Sequence, residues 1–442
     1  MTASSARGRV PPLRRGLRLT VPGQVLAVLC LMYLVLYVDR VNIATIGPAM
    51  SADLGLTNTQ FGLAVSAFSY PYAFIQLFGG WVSDRFGARR MLVLCGAIVC
   101  VATLLTGAVG GLGALVGLRI LLGIGEGFCF PTATRAMAAW LPAARWGFAQ
   151  GVTHAAARLG NALTPMLVVG LMAWSSWRGT FVVLGLASAV WMLLWLWVAR
   201  HDPRQHPGMT PDERAALAVA GDAPAGAPRV AIPWGRLARR MAPVTAVDFC
   251  YGWTLWVFLT WLPTFFLHSF GLDLKSSAFF SGGVLFAGVI GDTAGGMISD
   301  WINRRTGNLL AARRNVIVAG MIGAFLFLIP VLVSRDLTTV AICLSLAFFF
   351  VELVVAPICA VPMDIAPEYA GAASGMMNFG FGIAGILSPL VFGALLDWTG
   401  GWAVPFMGSI ALLLVGAGLS FLMRPDRRFE AAPGIVRESS AV

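Results

Sequence analysis

The segment Gly79-Gly80-Trp81-Val82-Ser83-Asp84-Arg85-Phe86-Gly87-Ala88-Arg89-Arg90 closes one long apolar run, and Gly295-Gly296-Met297-Ile298-Ser299-Asp300-Trp301-Ile302-Asn303-Arg304-Arg305 closes another in the later half of the chain. Each places a pair of glycines ahead of Ser-Asp, and each ends on an Arg pair. Landmarks farther on repeat at nearly the same spacing: Pro165 is answered by Pro389, and Trp177 by Trp402. Repetition on this scale makes the chain two related halves, each a unit of the same plan.

Those halves lie in an apolar setting. Of 442 residues, 58% are hydrophobic and 12% charged, about half the charged share of a soluble chain. A transmembrane helix takes about 20 mostly apolar residues, and that pattern recurs about twelve times. Spans are expected near 22–49, 60–83, 91–110, 114–139, 148–173, 178–200, 243–268, 277–302, 314–334, 337–363, 371–397 and 402–423. The predicted fold class is an all-α membrane protein with twelve transmembrane helices in two pseudo-symmetric six-helix halves. The first span, beginning near Val25, is too long for a signal-peptide core and has no small-residue cleavage site before Asp39, so it is expected to stay. The organisation follows as a tail 1–21, a bundle 22–200, a linker 201–242, a second bundle 243–424 and a tail 425–442. Prolines 203, 207, 211, 224, 228 and 233 break the apolar rhythm in the linker, which leaves room for a short polar helix from Asp212 to Val219. No segment is long or polar enough to form a separate soluble domain.

A net charge of +11 invites a nucleic-acid reading, but the arginines sit at span ends and Lys275 is the single lysine. Arg40, Arg119 and Arg158 fall inside spans, and Arg178, Lys275 and Arg335 fall in the odd-numbered connections. All the rest share the side of the termini, which makes that side cytoplasmic. The seven cysteines lie in apolar stretches without disulfide or metal-ligand spacing. The absence of any Asn-x-Ser/Thr sequon and the short connections favour a bacterial inner membrane, with a monomer in the lipid bilayer as the working unit and no nucleic-acid partner.

The first of the two segments resembles the cytoplasmic signature of the major facilitator superfamily, Gly-x-x-x-Asp-Arg-x-Gly-x-Arg-Arg/Lys, at Gly80, Asp84, Arg85, Gly87, Arg89 and Arg90. Further blocks resemble its anion:cation symporters, which include hexuronate, glucarate and galactonate permeases and sialin-like carriers. These blocks are Tyr37-Val38-Asp39-Arg40-Val41-Asn42, Arg119 with Glu126-Gly127 and Phe130-Pro131, Trp140-Leu141-Pro142, and Trp261-Leu262-Pro263. The resemblance implies proton carriers at Asp39 and Glu126, a substrate-carboxylate anchor at Arg40, and substrate contacts at Tyr72 and Asn378. Two departures stand near the expected substrate: Ala156-Ala157 where sugar-acid permeases of the family tend to carry Gln-Tyr, and Cys359 where Trp is usual.

Ionisable residues inside a bilayer cost about 2.5–3.5 kcal/mol each on insertion scales, so those that occur face a cavity or a partner. Asp39 and Arg40, as helix neighbours, point about 100° apart and suit separate partners. Arg119 and Glu126, seven apart, share one helix face, and a carboxylate whose distance from Arg119 changes between states can load and release a proton. His154 and Arg158 stand one turn apart, as do Tyr72 and Gln76, so each pair can line one stripe of a cavity; His154 reads equally well as a hydrogen-bonded interhelical histidine. Asp292 and Glu352 offer second-half charges that either pair with arginine or titrate. Asp248 is expected to face water, and Asp364 to cap or gate. Gly80, Asp84, Arg85, Gly87, Arg89, Arg90, Asp300 and Arg304 read as a cytoplasmic gate.

No phosphate loop, HExxH or GxSxG occurs. Gly123-x-Gly125-x-Gly127 lies mid-span with no strand before it, so helix packing explains it better than a dinucleotide. The expectation is a non-enzymatic secondary transporter without cofactor, the proton being its coupling ion, that imports a small organic anion, foremost a sugar acid such as a hexuronate, aldonate or aldarate. A drug or metabolite/proton antiporter and a transporter-like membrane sensor are the alternatives. The first is disfavoured by Arg158-Leu159-Gly160-Asn161 in place of a Gly-Pro pair, the second by the lack of a signalling domain.

Overall fold

The computed structural model describes residues 20–141, 145–200, 202–221 and 232–430. Six helices form the first half: α1 (Val21–Leu54), α2 (Asn58–Phe86), α3 (Ala88–Thr106), α4 (Leu112–Trp140), α5 (Trp146–Trp174) and α6 (Trp177–Val198). After the linker helix α7 (Pro211–Gly221) come α8 (Trp234–Phe270), α9 (Leu274–Thr306), α10 (Val316–Val333), α11 (Leu337–Leu353), α12 (Val355–Ile365), α13 (Ala370–Thr399) and α14 (Ala403–Leu419). Among the described residues eleven stretches are long and apolar enough to cross a membrane, Leu337–Ile365 counting as one. The 29-residue α2, interrupted by Ser66, Ser69 and Tyr70, makes the twelfth long helix.

Local chemistry fixes the boundaries. At the start of α2, Thr57 accepts from the Gln60 backbone while the Gln60 side chain accepts from the Thr57 backbone, a reciprocal cap. At its end Gly87 has φ 82°, a conformation that glycine alone adopts without strain, and its N–H returns to the Ser83 carbonyl. The signature glycine therefore makes the turn that reverses α2 into α3. The linker helix opens on the same device, with Thr210 and Glu213 capping each other.

Three elements differ from the sequence expectation. α1 continues past Pro48 to Leu54. α8 begins at Trp234, ahead of the expected 243, because its first turns are held by the chain's later end: Arg236 donates to the Glu430 carbonyl at 3.1 Å, and Arg240 to those of Arg424 and Arg427 at 2.6 and 2.9 Å. The tenth expected span is broken into α11 and α12 at Val354. Pro357 has no N–H for the Leu353 carbonyl, which frees the helix to break there.

Glycines set how closely the helices pack. A Cβ on Gly295, the first glycine of the second repeated segment, would stand 2.2 Å from the Leu353 carbonyl oxygen, and one on Gly291 2.2 Å from that of Phe349. Likewise a Cβ on Gly123 would stand 2.1 Å from the Phe68 carbonyl, so the Gly123-Gly125-Gly127 run is a packing surface.

The halves meet most closely at the end away from residues 20 and 430. Asp397 of α13 accepts four hydrogen bonds from the start of α2: Asn58 N at 3.2 Å and Nδ2 at 2.7 Å, Thr59 N at 2.7 Å and Oγ1 at 2.6 Å. A carboxylate from one half thus caps a helix of the other. Close by, a Cβ on Gly62 would lie 2.3 Å from the Pro389 carbonyl, and Gly47, Ser51, Phe61, Trp261 and Thr264 line a cavity of about 290 Å³. Moving along α5 toward the other end, the Ala162 carbonyl touches Gly282, Arg158 reaches α9 and α11, and His154 is exposed. The halves are joined at the far end and part toward the end that carries the termini.

Charge-assisted hydrogen bonds contribute about 1.5–3 kcal/mol each, so Asp397→Ala should open the far end. In a cysteine-free background carrying Thr264→Cys, labelling by a maleimide applied from that side should rise about tenfold or more; labelling equal to that of the Asp397 parent would remove Asp397 as a latch.

Candidate functional site

Two charged clusters occupy the middle of the bundle. In the first, Asp39 and Arg40 diverge from α1 to separate partners. Asp39, almost wholly buried, accepts from Ser188 Oγ of α6 at 2.8 Å. Arg40 donates through Nη2 to Glu126 Oε2 of α4 at 2.7 Å, and both side chains are buried. The guanidinium lies in an aromatic cradle, 4.7 Å from the ring centroids of both Tyr37 and Tyr72, 5.1 Å from Phe68 and 5.6 Å from Phe130. These faces offer cation–π attraction in place of hydration. Arg40 Nε and Glu126 Oε1 have no hydrogen-bond partner, so each half of the pair keeps capacity for another group.

Arg119 shares a face of α4 with Glu126, as the spacing requires. Among the described residues it forms no ion pair within 4.0 Å; its guanidinium lies 5.2 Å from Phe68, with Nε and Nη2 unbonded. Arg40, not Arg119, is the direct partner of Glu126. Ser188 escaped the sequence reading, its one signal being a hydroxyl among small residues, Ala187-Ser188-Ala189, within a long apolar span.

The second cluster joins the halves. Arg158 of α5 donates through Nε to Asp292 Oδ2 of α9 at 2.9 Å and through Nη1 to Glu352 Oε1 of α11 at 3.4 Å, while Nη2 stands 3.3 Å from Glu352 Oε2. One turn away, His154 is exposed, with its ring 5.7 Å from that of Tyr33 on α1. Cys359 and Asn378 are also exposed at mid-helix, and Tyr72 is buried beside Arg40. The seven cysteines are free.

Asp248 does not face water: it is 3% exposed, with Oδ2 unpartnered. The cause is α13, which lies so near that a Cβ on Gly380 would meet the Thr245 carbonyl at 2.2 Å. Asp364 accepts from Arg313 Nε at 2.8 Å, and the same arginine reaches Ser299 Oγ at 2.7 Å and stands 3.6 Å from Asp300. That contact ties α9 and α12 to the turn 311–315 that leads into α10, all within one half. Among the other expected gate residues, Arg89 donates to the Leu196 carbonyl at 3.2 Å, and Arg85, Arg90 and Arg304 are exposed. The side chains of Gln76 and Asp84 lie outside what the structure describes, and Gly80 falls within α2.

A two-halved bundle with twelve long helical stretches among the described residues, and with ion pairs between the halves in its middle, fits a membrane transport protein rather than an enzyme. The sequence profile of the Major Facilitator Superfamily matches residues 29–312 and 307–439, and the chain belongs to that family. It is 48% identical over 408 residues to a probable sulfoacetate transporter, SauU, of Cupriavidus necator, covering 92% of this chain and 95% of that protein. It is 32% identical to the probable galactarate/D-glucarate transporter GudP of Escherichia coli K12, covering 88% of this chain and 89% of the relative. Its fold is similar to that of an inward-facing bacterial homologue of the lysosomal transporter Spinster, with a TM-score of 0.76 and 16% identity over 92% of this chain and 98% of that one. A D-xylose–proton symporter gives 0.72 and 15% identity over 90% and 97%.

Removing one partner of a buried ion pair costs about 3–5 kcal/mol, because the other charge stays buried. Arg40→Ala should therefore lower thermal stability strongly, while Arg40→Ala with Glu126→Gln should recover much of the loss. Equal melting temperatures for the single and double variants would show that the pair is not coupled.

Proposed function

We propose that this protein is a proton-coupled importer of a small organic anion in a bacterial inner membrane, working by alternating access. The observation that carries the reading is the buried Arg40–Glu126 pair with an unbonded atom on each side. A proton on Glu126 weakens its hold on Arg40, and the freed guanidinium can then take a substrate acid group through two parallel hydrogen bonds. Asp39 supplies a second buried carboxylate on the adjoining face of α1. With the termini cytoplasmic, the end at which the halves part faces the cytoplasm, so this is the inward-facing arrangement.

Relatives named for sulfoacetate and for sugar acids support an organic acid as the substrate class. Within that class the local residues favour a short acid over a polyhydroxylated one. Ala156 and Ala157 offer no side-chain hydrogen bonds to sugar hydroxyls, and Cys359 replaces a bulky indole. We therefore place a two-carbon sulfonate-carboxylate such as sulfoacetate ahead of the hexuronates and aldarates.

Moving an elementary charge against the membrane potential costs about 2.3 kcal/mol per 100 mV, so a dianion needs two protons merely to cancel its charge. Asp39 and Glu126 match that requirement. In proteoliposomes with an acidic exterior, labelled sulfoacetate should accumulate, and a protonophore should abolish the accumulation. Glu126→Gln should keep binding and counterflow exchange but lose uphill accumulation. Accumulation by Glu126→Gln equal to wild type would leave Glu126 a structural partner of Arg40 and overturn the coupling assignment.

A further inference from the structure

The second cluster has a charge imbalance that the first lacks. One guanidinium, Arg158, faces two carboxylates, Asp292 and Glu352, contributed by the opposite half. The two are held unequally: Asp292 makes a 2.9 Å hydrogen bond, whereas Glu352 approaches at 3.3–3.4 Å and its Oε2 accepts no hydrogen bond. Glu352 is also the more deeply buried of the two, at 1% against 19% side-chain exposure. The groups in electrostatic reach come from several neighbouring helices: His154 on α5, Tyr37 on α1, Tyr251 on α8 and Cys359 on α12, with Asp248 next to the last two. No further arginine or lysine is among them. Tyr37 also packs its ring against the Arg40 guanidinium. It is therefore near a cationic group of each cluster, Arg40 by contact and Arg158 by electrostatic influence.

Resting on the reading of an organic-anion transporter, we propose that Arg158, Asp292 and Glu352 form a second anion site, where a proton and the far acid group of a two-headed organic dianion bind together. The near acid group lies toward Arg40. The exchange is balanced. A proton from cleft water adds to a Glu352 carboxylate oxygen and forms an O–H bond; the neutral acid gives up its share of Arg158; the substrate's sulfonate or carboxylate takes that share. Before the exchange the cluster holds one positive and two negative charges, and afterwards it holds one positive and two negative charges again, those of Asp292 and the ligand. Binding the anion without the proton would add an uncompensated negative charge inside the membrane. The proton therefore enters with the anion. Because Glu352 and Asp292 belong to the half opposite Arg158, the same exchange replaces a direct bond between the halves by a ligand-mediated one.

Calorimetry on the full-length protein in detergent tests this, with sulfoacetate as the probe and buffers of differing ionisation enthalpy to count protons taken up per anion bound. Each linked proton weakens binding about tenfold per pH unit above the range in which the acceptor is protonated. Wild type should take up protons on binding. Glu352→Gln, which carries the neutral form permanently, should take up one fewer and lose one tenfold step per pH unit, while still binding sulfoacetate in alkaline buffer. Asp292→Asn, the second isosteric variant, should also lower the count, and His154→Gln should leave it unchanged. If Glu352→Gln and Asp292→Asn both keep the wild-type proton count, or if His154→Gln lowers it instead, the assignment is wrong. Proton-driven accumulation that persists in wild type alongside such a result sinks only this second site; a wild-type protein that binds and accumulates no organic acid sinks the broader reading with it.

Discussion

Charge buried in an apolar slab has to be answered inside the protein, and the middle of this molecule is organised by that demand. Arg40 is answered by a carboxylate on another helix and by four aromatic faces, Arg158 by two carboxylates across the boundary between the halves. Close helix packing serves the same end. Gly291 and Gly295 let α9 press onto the backbone of α11, setting Asp292 and Glu352 beside one arginine, and Gly123 seats α4 against α2, where Phe68 and Tyr72 meet Arg40. The glycines and the ion pairs are one design, because a charge pair at 2.7–2.9 Å needs backbones that can come close.

Much of this was legible in the chain itself. Apolar length gave the twelve spans, and the repeated Gly-Gly-x-x-Ser-Asp segments gave the duplication. The 100° offset of neighbouring helix positions correctly gave Asp39 and Arg40 different partners. What escaped has a common cause: it depends on which helix lies next to which. Spacing along α4 puts Arg119 and Glu126 on one face but cannot say that α1 brings Arg40 to the glutamate first. Asp248 reads as a span-end residue until α13 covers it. Ser188 and Asp397 carry no pattern in their own segments, and their roles come from partners 149 and more than 300 positions away in the chain.

Proline and glycine mark where the regular helices yield. Pro357 deprives the Leu353 carbonyl of its donor at the point where α11 gives way to α12, and Glu352, the looser partner of Arg158, is the residue just before that carbonyl. The break thus lies beside the carboxylate that the second-site proposal would release from arginine.

The Asp397 cap on α2 stands at the far margin of the bundle, where its side chain and those of Asn58 and Thr59 are within reach of bulk water. When the halves separate there, hydration makes good part of each lost bond, so the seal costs less to open than a buried one would. In the Arg158 cluster, Glu352 is 1% exposed and has far less access to such a substitute. The molecule thus has two fastenings of unlike temper, one whose partners solvent can reach and one whose Glu352 partner it barely can. On the proposed reading the outer seam answers to hydration, and the inner one to the arrival of an anion.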